Sequence, residues 1–289
     1  MRLQRPVLAV HGGAGAMDPA RLDEAAVRAA LDAALDAGGR VLSGGGAALD
    51  AVEQAVRALE ASGVFNAGKG ILAALDGGEP ELDAAIMDGR TRAAGAVGAL
   101  VGFAHPISVA RLVAEQTPHV LLVSGGAAAF AARVGVTRAP AGYFVPAGAA
   151  IPPPARPADT VGAVALDAAG VLAAATSTGG VAGKLPGRVG DSPVIGAGTY
   201  ADARCAVSTT GTGELFVRAV FAFRVATLIE QGQPVEEAAA RGLAEVGALG
   251  GRGGCLVLDA GGDLAMPFSS AGMFRGFLDG SGRRQTAIF

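Results

Sequence analysis

Histidine is scarce in this chain of 289 residues, with only His11, His105 and His119. None falls in an HExxH or other zinc spacing, and no G-x-S-x-G elbow occurs. A histidine-based triad therefore has no local signature, and structural roles are the expectation for all three. Cysteine is scarcer: Cys205 and Cys255 stand far apart, in no metal-type spacing, and read as two buried free thiols. Like charges never gather in a block of five, and the net charge is only −3, so nothing supports a nucleic-acid or anionic-membrane partner. Apolar runs are interrupted by Gly, Pro, Asp or Arg well short of the roughly 18 residues that span a bilayer. The run Pro6–Val10 is too brief for a signal-peptide core of about 7–15 residues. These absences together read as a soluble cytoplasmic protein.

Glycine is what the chain has in excess, 46 residues in all. They follow no period. They cluster at His11–Gly15, Gly44–Gly46, Gly68–Gly70, Gly179–Gly183, Gly211–Gly213 and Gly250–Gly254, which suggests backbone brought close to backbone or ligand, although tolerant loops would look the same. None of the clusters completes the dinucleotide pattern G-x-G-x-x-G. Gly63–Gly70 approaches a phosphate-binding loop, but it ends in Gly where the magnesium-binding Ser or Thr belongs, and it follows a helical pattern rather than a strand. An NTPase built there is the weakest reading.

Periodicity predicts a strand at Val7–Val10 entering a glycine turn at His11–Gly15, and helices over Pro19–Leu42 and Ala47–Ser62. Strands follow at Leu82–Met87 and Ala93–Phe103, a helix at Ile107–Glu115, a short strand at Val120–Val123 and a short helix at Ala127–Val134. Val136–Ala158 then holds six prolines and reads as an exposed, extended linker. Beyond it come paired strands Val161–Leu166 and Val171–Ser177, a strand Ala206–Thr209, helices Glu214–Gln231 and Val235–Val246, and a hairpin of Gly254–Leu258 with Leu264–Phe268. Helices pair with helices and strands with strands in two halves, which predicts an α+β protein with helical layers outside two stacked sheets.

A hydrolase without a histidine, a metal or an elbow needs another base. A free α-amino group, with a pKa of about 7.7–8, can serve if the nucleophile is the first residue of a chain. Thr160 stands at the junction of linker and strand, where cleavage would create such an end. Its β-branched side chain has few rotamers, which keeps the hydroxyl aimed. From spacing alone, a threonine that merely begins a strand is the simpler reading.

The surrounding motifs carry further information. Thr160–Asp167 (TVGAVALD), Ala174–Gly180 (AATSTGG), Lys184–Pro193 (KLPGRVGDSP) and Thr210–Glu214 (TGTGE) resemble the plant-type L-asparaginase and isoaspartyl peptidase family. So do His11–Gly15 (HGGAG), Phe65–Gly68 (FNAG) and Leu82–Gly89 (LDAAIMDG). The motifs are ordered and long, and they cover nearly the whole chain apart from the linker. The resemblance implies a threonine N-terminal nucleophile hydrolase with a four-layer αββα sandwich. It implies one domain over residues 1–289 that cuts itself before Thr160 into an alpha subunit 1–159 and a beta subunit 160–289. The implied activity is hydrolysis of β-aspartyl amides, namely isoaspartyl dipeptides and L-asparagine.

Residue by residue, the resemblance makes Thr160 the nucleophile, Thr178 its activating partner, and Thr210 with the backbone N–H of Gly211 the oxyanion hole. Arg188 would clamp the substrate α-carboxylate and Asp191 its α-ammonium; an exposed ion pair is the plain alternative for those two. Asn66 and Gly13 would support the site, and Gly251–Gly254 would lie near it. Glu214 opens a helix and is assigned no catalytic role. No cofactor for catalysis is implied, but a structural sodium ion is, held by backbone carbonyls within Leu59–Lys69: Leu59, Glu60, Ser62, Phe65, Ala67 and Lys69. A homodimer of cleaved αβ units is implied too. Asp159 stands where many of these asparaginases have Gly, and the related glycosylasparaginases share that Asp. Ser269–Ser270 replaces an Asn-Thr-like pair found in some relatives. A glycosylasparaginase-like amidohydrolase is the nearest alternative, though the chain has no tryptophan and no targeting segment of the kind those secreted enzymes carry. A non-catalytic module that retains a zwitterion pocket is the alternative from another class.

Overall fold

The computed structural model describes residues 1–17, 20, 22–71, 79–144 and 160–289. The strands at its centre are apolar on both faces, and two separate cores explain why. Along β1 (Val7–Gly15), Leu8 and Val10 enter one hydrophobic cluster while Val7 and Ala9 enter the other. β5 (Val161–Leu166) and β6 (Leu172–Thr178) divide the same way: Ala163, Ala165, Ala173 and Ala175 face the first cluster, and Val164, Leu166, Leu172 and Ala174 the second. A period of two with no polar face is what a strand covered on both sides requires.

The first cluster is closed by α1 (Glu24–Ser43), α2 (Ala48–Ser62), α3 (Pro106–Gln116) and α4 (Ser124–Arg133). With β2 (Glu81–Asp88), β3 (Ala94–Val101), β4 (Leu121–Val123), β11 (Gly272–Asp279) and β12 (Arg284–Ala287), the central strands form an eight-stranded sheet in the order β12-β11-β1-β5-β6-β2-β3-β4. Segments from before and after Thr160 thus alternate within one sheet. The second cluster lies between this sheet and a four-stranded one, β10-β9-β8-β7, built from β7 (Thr199–Ala201), β8 (Cys205–Gly211), β9 (Gly253–Asp259) and β10 (Leu264–Ala265). Helices α6 (Phe221–Glu230) and α7 (Val235–Ala248) pack on the smaller sheet, and α5 (Gly213–Ala219) packs against both. Among the described residues, no helix is long and apolar enough to cross a membrane. Cys205 and Cys255 are buried free thiols, as expected.

Several elements differ from their sequence reading. β1 does not stop at a glycine turn: it runs through Gly15, with its register against β11 slipping between His11 and Gly13. The first helix starts at Glu24, where the Asp23 side chain accepts the Ala26 N–H at 2.9 Å, and Pro19 lies outside the described residues. Glu214–Gln231 is two helices, because Val220 takes a left-handed conformation (φ 47°) between α5 and α6. β7, β11 and β12 are strands where the periodicity predicts none. In the linker, Val136 packs against the first core and Arg138 stacks on Phe103 at 5.6 Å, so its start is pinned; residues 145–158 lie outside the described residues.

A β-branched residue in the left-handed region is strained, and Val220 is half exposed. Val220→Gly is therefore expected to raise stability by about 0.5–1 kcal/mol, the relief of strain exceeding the entropy cost of glycine; the midpoint of urea unfolding measures it.

Candidate active site

Two strand ends and one register place the hydroxyls of Thr160 and Thr178. In the antiparallel β5–β6 pair, Val161 lies opposite Ser177. Thr160 and Thr178, the next residues out, consequently meet at the same end of the ladder. Their side chains share the parity of Val164 and Ala174, so both project between the two sheets. Thr160 Oγ1 donates to Thr178 Oγ1 at 3.1 Å, and Thr178 Oγ1 in turn accepts the Gly180 N–H at 2.9 Å. Both residues are buried.

The smaller sheet contributes Thr210. Thr210, near the end of β8, is fully buried, and its Oγ1 accepts the Ala14 N–H at 3.1 Å. That bond uses the oxygen as acceptor and leaves the hydroxyl hydrogen as what Thr210 can donate to the site. Gly211 follows with φ 147°, and Gly13, beside Ala14, has φ 112° in the irregular part of β1. Asn66 ties the loop after β6: its carbonyl accepts the Gly179 N–H at 2.8 Å, and its side-chain amide donates to the Gly180 carbonyl at 2.6 Å. Arg252, in the Gly251–Gly254 segment, accepts the Thr212 N–H at its carbonyl, which holds that segment beside Gly211.

Arg188 and Asp191 converge on one gap. A Cβ placed on Gly213 would lie 2.7 Å from Asp191 Oδ1 and 2.9 Å from Arg188 Nη2. Only a residue without a side chain leaves that space open between a cation and a carboxylate. Asp191 is buried, and desolvation pushes its carboxyl above the usual range, against the hydrogen bond that Thr209 donates at 2.7 Å. Arg188 is an ion-pair partner after all: its Nε donates to Glu214 Oε1 at 2.8 Å, and that bond holds the Glu214 carboxyl below its ordinary value. The pair orients the guanidinium through one edge, with Nη2 still bordering the Gly213 gap.

Residues outside the motifs hold this loop. β2 points two acidic side chains at it. Both Glu81 carboxylate oxygens accept the Gly187 N–H, and Asp83 accepts the Gly190 N–H at 3.1 Å while its other oxygen takes the Ala99 N–H at 2.8 Å. Buried Lys184 donates to the Glu81 carbonyl at 2.8 Å. Asp83 lies within the Leu82–Gly89 motif. Its signal was there, since an acidic residue inside an apolar strand must be satisfied by donors.

His11, expected to be structural, touches Thr160. Its Nδ1 lies 3.0 Å from the Thr160 carbonyl oxygen and its Nε2 lies 2.9 Å from Ser208 Oγ. No spacing could reveal this, because the three residues meet only when the sheets stack.

The loop called for sodium curls at the end of α2. Ser62 Oγ donates to the Leu59 carbonyl at 2.7 Å, and a Cβ on Gly68 would fall 2.7 Å from the Glu60 carbonyl. The Glu60 side chain does other work: it accepts the His105 ring N–H at 3.0 Å, the Ser177 hydroxyl at 2.7 Å and the Ile107 N–H at 3.2 Å, and so caps α3. Gly63–Gly70 runs from a helix into a short 3-10 turn at Gly68–Gly70, which is not the strand-to-helix frame of a phosphate loop. Asp159 lies outside the described residues.

Asp83→Asn would set an amide donor against one of two buried N–H groups. The expected cost is about 1–3 kcal/mol of stability, read from urea unfolding, with the 180–191 loop cut sooner by trypsin than in the unchanged protein.

The chain resembles known proteins over nearly its full length. It is 46% identical over 298 residues to the isoaspartyl peptidase of Salmonella typhimurium, covering 94% of this chain and 95% of that one. It is 44% identical to the isoaspartyl peptidase of Escherichia coli, covering 94% and 92%. With the isoaspartyl peptidase/L-asparaginase of Homo sapiens it shares 44% identity, covering 93% and 91%. A family model described as asparaginase matches residues 4–150 and 147–288, and on this match and those identities the chain belongs to the asparaginase family.

Proposed function

We propose that the protein hydrolyses β-aspartyl amide bonds, in isoaspartyl dipeptides and L-asparagine, after cutting itself between Asp159 and Thr160. The observation that carries this reading is the contact of Thr160 Oγ1 with Thr178 Oγ1 at 3.1 Å, next to Gly180, where an added Cβ would lie 3.2 Å from Arg188 Nη1. The names of the relatives support the substrate class.

Before cleavage, the Thr160 hydroxyl attacks the Asp159 carbonyl; the peptide bond breaks, an ester forms, and water opens it. The amine released on Thr160 has a pKa of about 7.7–8 and becomes the base for its own hydroxyl. In turnover, Thr160 Oγ1 attacks the side-chain amide carbonyl of the substrate. Thr178 donates to Oγ1 as the alkoxide develops. The oxyanion meets the Thr210 hydroxyl and the Gly211 N–H. Proton transfer from the amine expels ammonia or the peptide amine, and water then hydrolyses the Thr160 ester. Arg188 holds the α-carboxylate of the substrate and Asp191 its α-ammonium. An incoming ammonium also offsets the burial that raises the Asp191 carboxyl, so binding favours its charged form.

A sodium ion held by the carbonyls of Leu59, Glu60, Ser62, Phe65, Ala67 and Lys69 fits the curled loop after α2, whose glycines crowd carbonyls together. Its contribution would be to hold the Asn66 segment that ties Gly179 and Gly180. The four-layer αββα sandwich, one domain over residues 1–289 that yields subunits 1–159 and 160–289, a homodimer of cleaved units and a cytoplasmic location complete the proposal on the strength of family resemblance.

Intact mass and N-terminal sequencing test the central claim. Purified protein is expected to resolve into two fragments, the second beginning at Thr160, and Thr160→Ala to stay one inactive chain. A Thr160→Ala protein with the unchanged rate on β-aspartyl dipeptides overturns the mechanism. Thr210→Ala is expected to lower kcat by roughly 10²–10³, the typical cost of one oxyanion donor, with KM little changed in steady-state assays.

A further inference from the structure

Four buried residues form a hydrogen-bonded line that ends on the nucleophile. The Thr160 carbonyl can only accept, so Nδ1 of His11, 3.0 Å away, carries the proton. Burial pushes the His11 pKa down to about 3, so the ring is neutral and Nε2 is left as an acceptor. Ser208 Oγ, 2.9 Å from Nε2, is the donor there. Each hydroxyl behind it has two acceptors within reach, and the nearer one always lies toward His11. Ser208 Oγ is 2.9 Å from Nε2 but 3.2 Å from the Ala175 carbonyl. Thr176 Oγ1 is 2.8 Å from Ser208 and 3.3 Å from the Gly198 carbonyl. Thr199 Oγ1 is 2.7 Å from Thr176 and 2.9 Å from the Ser192 carbonyl. The line crosses from one sheet to the other: His11 and Thr176 belong to the larger, Ser208 and Thr199 to the smaller. All are fully buried.

The line occupies space that a side chain would otherwise fill. A Cβ on Gly162, two residues beyond Thr160, would lie 2.4 Å from His11 Nε2 and 2.1 Å from Ser208 Oγ.

We infer that His11 is a positioning residue for Thr160, locked in one tautomer by the Ser208–Thr176–Thr199 hydroxyls, and that its bond to the Thr160 carbonyl aims the α-amine and Oγ1 of that residue. The inference rests on the reading of Thr160 as nucleophile. The carbonyl, the amine and the side chain all leave one α-carbon, so holding the carbonyl restricts rotation of the amine relative to the incoming substrate. His11 touches no substrate, and its effect belongs in kcat and in the rate of self-cleavage rather than in KM. A neutral ring with one fixed proton also carries no charge to disturb the amine.

Two variants of full-length protein separate positioning from mere packing. Asn places an amide nitrogen where Nδ1 stood; Gln reaches the Nε2 position and abandons Nδ1. His11→Gln is expected to slow appearance of the Thr160 N-terminus and lower kcat per cleaved chain by about tenfold, the scale of one hydrogen bond, with KM on a β-aspartyl dipeptide unchanged. His11→Asn is expected to recover most of that loss even where its thermal midpoint is the lower of the two. Equal losses in both variants, a loss confined to KM, or unchanged rates in His11→Gln overturn the inference. If the unchanged protein yields no chain beginning at Thr160, the reading of Thr160 as nucleophile has failed instead.

Discussion

Everything at the site depends on the register of β5 against β6. That antiparallel ladder sets Val161 opposite Ser177 and brings the two hydroxyls just beyond it to 3.1 Å. A slip of one residue would turn Thr160 toward the helices and send Val161 between the sheets. The register is held by apolar alternation on both faces, because Ala163 and Ala165 pack with α2 while Val164 and Leu166 pack toward β8 and β9. The position of the Thr160 hydroxyl is therefore a consequence of core packing.

The Arg188–Asp191 end of the site obeys a different constraint. Arg188 and Asp191 sit on a long irregular loop between β6 and β7, where no ladder can place them. Acidic side chains from β2 do so instead, Glu81 on Gly187 and Asp83 on Gly190, with Lys184 returning to the Glu81 carbonyl. Burial raises the Asp83 carboxyl and lowers the Lys184 ammonium, and the attraction between them opposes both shifts. Charged side chains on β2, with Lys184, thus hold the loop that carries Arg188 and Asp191. Glu214 belongs to the same system, since it takes one edge of the Arg188 guanidinium and leaves another at the Gly213 gap.

Much was legible in the sequence where the signal is local. Apolar periodicity located α2, α3, α7 and most strands to within a residue or two, because burial of a stripe is written in the order of residues. The motifs around Thr160, Thr178, Arg188, Asp191 and Thr210 read as one set; the structure joins Thr160 to Thr178 by a hydrogen bond and sets Arg188 and Asp191 on one gap at Gly213. Less was legible where conformation contradicts propensity. Val220 breaks a helix although nothing in its neighbourhood disfavours one, and β11 was missed because Gly272, Gly276 and Arg275 interrupt its apolar pattern while β1 and β12 supply its partners. The glycine run after Val10 was read as a turn, whereas pairing with β11 extends it as strand.

By itself, the sequence determined which residues could do chemistry: a hydroxyl at a segment boundary, a cation and an anion spaced for a zwitterion, glycines where backbone must approach closely. It also determined the alternation that buries both faces of the central strands. The tertiary structure alone decided how those groups are held. His11 reaches Thr160 across 149 positions and Ser208 across 197, and Asp83 reaches Gly190 across 107. Such contacts leave no periodic trace, because they arise from the pairing of β1 with β5, the stacking of two sheets and the docking of a loop. A buried polar atom must find a partner wherever the packed chain supplies one.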